Sequence, residues 1–319
     1  MATPANDRNS IAFLFPGQGS QAVGMGKELA ARYPAAKQAF EEADAALGYA
    51  LSALCFEGPE EKLKMTEVTQ PAILTVSVAA LRVLREQGVE PGFVAGHSLG
   101  EYSAHVAAGT LAFGDAVRMV RNRGRYMQEA VPAGQGAMAA VLGLSLAEIE
   151  AACREAASAA ADEVVAPANV NSPGQVVISG HKAAVERAAE LVKQRGAKRA
   201  VMLPVSAPFH CALMQPAQDR LAVDLKAAAF HPMNVPLVTN VDAEMIDSAE
   251  KARDALIRQV TGAVQWEKSM GALIAAGVET FIEVGPGKVL CGLMRQIDRS
   301  KTCLNVEDPA SLEKTVNRP

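Results

Sequence analysis

Gly96-His97-Ser98-Leu99-Gly100 follows the apolar Phe93-Val94-Ala95 and precedes Glu101-Tyr102-Ser103-Ala104-His105-Val106-Ala107-Ala108. The order reads as a buried strand, a tight turn and a helix, which is the G-x-S-x-G nucleophile elbow. The turn is too sharp for side chains beside the serine, so glycine is required on either side. The Ser98 hydroxyl then projects from the bend, and backbone N–H groups at the helix N-terminus face a developing oxyanion. The elbow by itself leaves esterase, lipase, peptidase and acyltransferase chemistry open.

Working outward, Ile11-Ala12-Phe13-Leu14-Phe15 predicts a buried first strand. It feeds Pro16-Gly17-Gln18-Gly19-Ser20-Gln21, which is either a plain strand-to-helix connection or the loop that supplies a second oxyanion donor. It lacks the G-x-x-x-x-G-K-[ST] spacing of a phosphate loop. Pro71 to Gln87 reads as a core helix with Pro71 in its first turn and Gly88 as its stop. The order of strand, loop, helices, strand, elbow and helix argues for an α/β fold with a parallel sheet.

Ala116 to Ala130 is a second helix, with four arginines. At about 100° per residue, Arg118, Arg121 and Arg125 share a solvated arc, whereas Arg123 falls among Met119, Val120, Met127 and Ala130. A guanidinium on the apolar side needs an anionic partner. Two partners fit: a buried Asp or Glu, or a substrate carboxylate held by a bidentate fork.

From Gln135 to Val205 the pattern is β-α-β-β-α-β, the ferredoxin-like arrangement. Its strands are read at Ala137–Leu142, Val164–Val170, Gln175–Ser179 and Ala200–Val205. Its helices open on the capping box Ser145-Leu146-Ala147-Glu148 and at Lys182, and the hairpin turns at Asn171-Ser172-Pro173-Gly174. The expected organisation is a large α/β-hydrolase-like part over 1–132 and 206–319, with a ferredoxin-like insertion over 133–205. After the insertion, Ser206-Ala207-Pro208-Phe209-His210-Cys211 is a proline-bent loop before a helix from Ala212 to Phe230. His210 stands out because elbow enzymes place their base downstream of the serine. No acidic residue is evident to orient it, so the pattern does not support a full Ser-His-Asp triad, and a backbone or side-chain carbonyl is left as an alternative holder of the imidazole. The last third reads as a strand at Pro236–Asn240, a helix at Ala249–Val260 and a loop carrying Gln265 and Trp266. A further helix, a strand at Thr280–Val284 and a final helix after Gly285-Pro286-Gly287 follow.

The 319 residues are half hydrophobic and carry a net charge of −4, which argues against nucleic acid as a partner. No apolar run is read as a membrane span, and the polar Met1 to Ser10 lacks a signal peptide's apolar stretch. The five cysteines are scattered without C-x-x-C spacing, so neither a disulfide framework nor a metal site is expected, and a cytoplasmic setting fits.

With Phe15-Pro16-Gly17-Gln18-Gly19-Ser20-Gln21, Gly96-His97-Ser98-Leu99-Gly100-Glu101, Arg121-Asn122-Arg123-Gly124 and Ala207-Pro208-Phe209-His210 in this order, the chain resembles the malonyl-CoA:acyl-carrier-protein transacylase family. The resemblance runs nearly end to end, through Asn171-Ser172-Pro173-Gly174-Gln175, Val264-Gln265-Trp266 and Glu283-Val284-Gly285-Pro286-Gly287. It implies Ser98 as the acylated nucleophile and His210 as its base. It implies backbone N–H groups of Gln18 and Leu99 as the oxyanion hole, and Arg123 as the partner of the malonyl carboxylate. His97 is implied to line the pocket, Phe209 to favour malonyl over bulkier acyl groups, and Gln265 to hold the histidine through its carbonyl. A CoA thioester is then the substrate and no tightly bound cofactor is required. The implied partners are malonyl-CoA and a holo acyl carrier protein, with the enzyme free-standing. A monomer is expected because no long apolar surface stripe is evident. Two rivals remain at this stage: a serine hydrolase on the same elbow, and a non-catalytic carrier-docking subunit.

Overall fold

The computed structural model describes residues 8–205 and 207–317. Ile11–Phe15 (β1) is buried at all five positions, as a strand covered on both faces by helices must be. Phe93–Gly96 (β2) lies parallel beside it. The insertion contributes Gly136–Leu142 (β3), Val165–Ser172 (β4), Gln175–His181 (β5) and Arg199–Met202 (β6). The chain then adds Leu237–Val238 (β7), Met245–Ile246 (β8), Thr280–Val284 (β9) and Thr302–Val306 (β10).

These strands form two sheets. The larger has the order β10-β9-β1-β2-β7-β8, parallel throughout except for the antiparallel β7–β8 pair. The smaller has the order β4-β5-β3-β6, antiparallel throughout, which is the ferredoxin-like order. Each has its own apolar core. One is built from Val141, Ile149, Ile178 and Val185, and the other includes Ile11, Phe13, Leu74, Tyr102 and Val120. The edge of the smaller sheet is tied to the loop before the helix Trp266–Ala275, where Val170 N–H donates to Val264 O and Val264 N–H to Ala168 O, both at 2.8 Å. That edge brings the insertion against the elbow.

The structure departs from the sequence reading in several places. The core helix spans Thr66–Glu86, five residues earlier than expected, so Pro71 lies inside it. The missing N–H of Pro71 leaves a nearby carbonyl without its helical donor, yet the Pro71 carbonyl still takes the Thr75 hydroxyl at 2.8 Å. At 21 residues this helix has the length and composition of a membrane span, contrary to the sequence reading. It is instead 83% buried across its most apolar window, and apolar on all sides because protein surrounds it. The helix after His210 begins as a 3₁₀ turn at Ala212–Met214 and runs as Gln215–Ala227, stopping short of Phe230. The helix after Gly287, Val289–Ile297, is not the last element: β10 and a capped helix, Pro309–Val316, follow it. No disulfide is expected from the cysteine spacing, yet Cys291 and Cys303 are joined as one between the helix Val289–Ile297 and β10, with Cα atoms 5.4 Å apart.

Candidate active site

The elbow is fixed by steric necessity. A Cβ on Gly96 would overlap the carbonyl of Gly100, and one on Gly100 would overlap the carbonyl of Phe15 at the end of β1. With both glycines in place, β2 turns directly into the helix Gly100–Ala107 and Ser98 takes φ 51°. His210 has φ 58°. Two of the three non-glycine residues with positive φ among the described residues are therefore this serine and this histidine. Such conformations cost about 1–3 kcal/mol each and persist only where neighbours hold them. Asn240, fully buried, holds the elbow from outside: its Nδ2 donates to Gly96 O at 2.6 Å, and its Oδ1 accepts from Ser98 N–H at 2.6 Å.

Ser98 Oγ lies 2.7 Å from His210 Nε2. His210 Nδ1 faces two carbonyl oxygens, Gln259 O at 2.9 Å and Gly262 O at 3.2 Å. Carbonyls only accept, so the ring hydrogen sits on Nδ1 and Nε2 is left to accept from the serine hydroxyl. Gln259 directly follows the helix Ala249–Arg258, and the last carbonyls of a helix lack helical partners. Burial holds the imidazole neutral by lowering its pKa to about 3, with the nearby Arg123 charge acting in the same direction. The arrangement is a base ready to receive the Ser98 proton.

The family resemblance implies Gln265 as the source of the histidine-orienting carbonyl, and the structure corrects this to Gln259 and Gly262. Gln265 instead donates its N–H to Asn240 O at 2.8 Å and accepts from Ser269 N–H at 2.9 Å, at the start of the helix Trp266–Ala275. A backbone carbonyl leaves no mark in residue type, so only the fold identifies it.

Arg123 is 1% exposed, on the helix Phe113–Glu129. Arg118, Arg121 and Arg125 are exposed, as the helical spacing predicts. Gly124 lets this helix close on the helix Thr66–Glu86, because a Cβ there would meet the carbonyl of Thr66. The guanidinium thereby reaches Gln70, donating from Nη1 to Oε1 at 2.9 Å. Nη2 donates to Gln259 Oε1 at 2.9 Å and to Ser98 Oγ at 3.1 Å, and the group lies over the Tyr102 ring. The acceptors are neutral amides and a hydroxyl, so of the two partners the sequence allowed, no carboxylate among the described residues bonds directly to this cation. Its charge remains available 3.1 Å from the serine oxygen.

His97 is half-buried, bonded through Nε2 to Asn171 Oδ1 of β4 at 2.9 Å and tilted against Trp266. Burial lowers its pKa, so it is neutral. Phe209 is half-buried and packs against both the main core and the apolar cluster of the small sheet that includes Met138 and Ala168. Leu99 is fully buried and Gln18 exposed, and the N–H of neither donates to an acceptor among the described residues. Ser206, part of the expected histidine loop, lies outside the described residues. Sequence reasoning missed Gln70, Glu101, Asn171, Asn240 and Gln259. Their polar side chains meet partners far along the chain, and only Glu101 and Asn171 fell within quoted motifs.

A serine at a strained elbow, a neutral imidazole beside it and a buried guanidinium on the same serine oxygen define a serine acyl-transfer centre. The chain matches the family described as acyl transferase domain over residues 12–312, and it belongs to that family. It is 55% identical over 303 residues to the malonyl CoA-acyl carrier protein transacylase of Escherichia coli strain K12, covering 95% of this chain and 97% of that one. A crystal structure of an acyl carrier protein S-malonyltransferase from Vibrio cholerae is 51% identical, with a TM-score of 0.93, covering 96% of this chain and 99% of the other. A malonyl-transacylase solved in complex with its type II PKS acyl-carrier protein is 49% identical, with a TM-score of 0.93 and the same coverage.

Proposed function

We propose that the protein transfers the malonyl group of malonyl-CoA to the phosphopantetheine thiol of an acyl carrier protein, by way of a malonyl ester on Ser98. The malonyl thioester so formed supplies extender units for fatty-acid or polyketide synthesis. Relatives named for malonyl CoA and an acyl carrier protein support this reading, as does one solved with a type II PKS carrier. The observation that carries it is the position of Ser98 Oγ, 2.7 Å from His210 Nε2 and 3.1 Å from Arg123 Nη2. An esterase acting on neutral acyl groups has no use for a desolvated cation beside its nucleophile.

His210 Nε2 takes the hydroxyl proton as Ser98 Oγ attacks the thioester carbonyl. The N–H groups of Leu99 and Gln18 receive the oxyanion, and each such donor is worth about 10²–10³ in rate. The C–S bond then breaks and the imidazolium returns its proton to the departing CoA sulfur. In the second half the carrier thiol gives its proton to His210, its sulfur attacks the ester carbonyl, and the C–Oγ bond breaks as Ser98 regains its proton. The Gln259 carbonyl, at the negative end of a helix, stabilises the imidazolium formed in each half. Arg123 binds the free malonyl carboxylate throughout, and Phe209 bounds the acyl pocket against an α-substituent.

Intact-protein mass spectrometry after mixing with malonyl-CoA tests the covalent step. The expected result is one malonyl group added, mapped to the peptide containing Ser98 and removed by holo carrier protein. Release of CoA without any adduct at Ser98, with or without carrier, contradicts it.

A further inference from the structure

Glu101 is the buried carboxyl group nearest the elbow that the mechanism above leaves without a task. It lies in the first turn of the helix Gly100–Ala107 and is fully buried. Its Oε2 accepts from Gln259 Nε2 at 2.7 Å and from Asn240 N–H at 3.1 Å. Gln259 Nε2 also donates to Ser98 O at 2.9 Å, and Gln259 Oε1 accepts from Arg123 Nη2 at 2.9 Å. The carboxylate and the guanidinium therefore communicate through one primary amide.

The donor and acceptor chemistry allows that amide a single orientation. A carboxylate only accepts and a guanidinium only donates. With the NH₂ group toward Glu101 and the oxygen toward Arg123, both bonds form. Rotated by half a turn, the amide would set its oxygen against a carboxylate and Ser98 O, and its NH₂ against a cation. We propose that Glu101 is a positioning residue, fixing the Gln259 amide so that Arg123 is held by a neutral oxygen and its charge is kept for the substrate carboxylate.

The inference rests on the malonyl-transfer reading, because it assigns Glu101 a part in selecting an acidic acyl group. It differs from a merely structural role in what it moves. Loss of the orienting acceptor leaves the Gln259 amide held only by Ser98 O and Arg123, so the oxygen that anchors the guanidinium is less firmly placed. That disturbs malonyl binding and leaves the acylation of Ser98 by acetyl-CoA largely untouched.

The test compares KM and kcat for malonyl-CoA and acetyl-CoA in the wild type, Glu101→Met, Glu101→Gln, Gln259→Met and the Glu101→Met/Gln259→Met double variant. Methionine keeps the length of the side chain and removes the strong acceptor, whereas glutamine retains an oxygen for both donors. The expected result is a rise of about tenfold in KM for malonyl-CoA in Glu101→Met, with a change of less than about threefold for acetyl-CoA. Glu101→Gln is expected to stay within about threefold of wild type for both substrates. Gln259→Met is expected to lose malonyl preference in the same way, and the double variant to lose no more than the larger single loss. An unchanged malonyl-to-acetyl ratio in Glu101→Met overturns the proposal, as do equal losses for both substrates or losses that multiply in the double variant. If Glu101→Met fails to fold, an unchanged ratio in Gln259→Met overturns it instead. A wild type with no preference for malonyl-CoA marks the failure of the functional reading. A preferring wild type with insensitive variants marks the failure of this inference alone.

Discussion

His210 carries the sharpest prediction at the level of single residues. An exposed histidine titrates near 6.5 and would lose its basic form as the medium turns mildly acidic. Burial lowers the His210 pKa to about 3, so the neutral base survives as pH falls through 6.5. The rate of CoA release in the first half-reaction should therefore stay level from pH 8 to pH 5.5. A stopped-flow profile with a midpoint near 6.5 would show that the imidazole is solvated and that the geometry described does not operate. Ser98, Arg123 and His210 were legible as residues because each broke a local expectation: a hydroxyl between glycines, a cation on an apolar face, a histidine in a proline-bent loop. Gln259 broke none. Its backbone carbonyl holds the imidazole and its side chain holds Arg123, and neither contact leaves a trace in spacing. The resemblance implies Gln265 instead, whose carbonyl accepts from Ser269 N–H and does not face the imidazole.

Helix packing explains why glycine follows the buried arginine. Substituting Gly124 by alanine should raise intrinsic helix stability by about 0.5–1 kcal/mol if the helix Phe113–Glu129 stood alone. In the folded protein the added Cβ meets the Thr66 carbonyl and the Glu67 Cα, which are backbone and cannot step aside. Overpacking of this kind costs about 1–3 kcal/mol, so the steric term wins. Gly124→Ala should lower the urea midpoint and raise KM for malonyl-CoA as Arg123 moves off Gln70. A raised midpoint would mean that the close approach is dispensable. Strands β1 and β9 match their expected bounds because each is a short buried run. The β-α-β-β-α-β order was legible from alternation and from the Ser145 to Glu148 capping box, whose reciprocal bonds are present. Strand β10 was not, since Thr302–Val306 is largely half-exposed at a sheet edge and carries little apolar pattern. The helix Thr66–Glu86 was shortened in the reading because proline usually marks a helix start, whereas here it sits one turn further in.

Over the whole molecule, the site exists only because separate parts of the chain converge. Ser98 comes from the end of β2, Arg123 from a helix on the large sheet's side, and His210 from the loop by which the chain leaves the small sheet. Asn171 of β4 reaches the elbow histidine, and β4 also bridges to Val264 in the loop that leads into the helix Trp266–Ala275. Three groups drawn from positions up to 112 residues apart thus meet at one serine oxygen. The central claim is that this convergence selects an acyl group by its carboxylate. It is tested most directly by comparing malonyl and acetyl transfer to holo carrier protein in Arg123→Ala. The account predicts that malonyl transfer falls by roughly 10²-fold, the worth of a desolvated charge-assisted pair, while acetyl transfer changes by less than about threefold. Equal losses for the two acyl groups would contradict it.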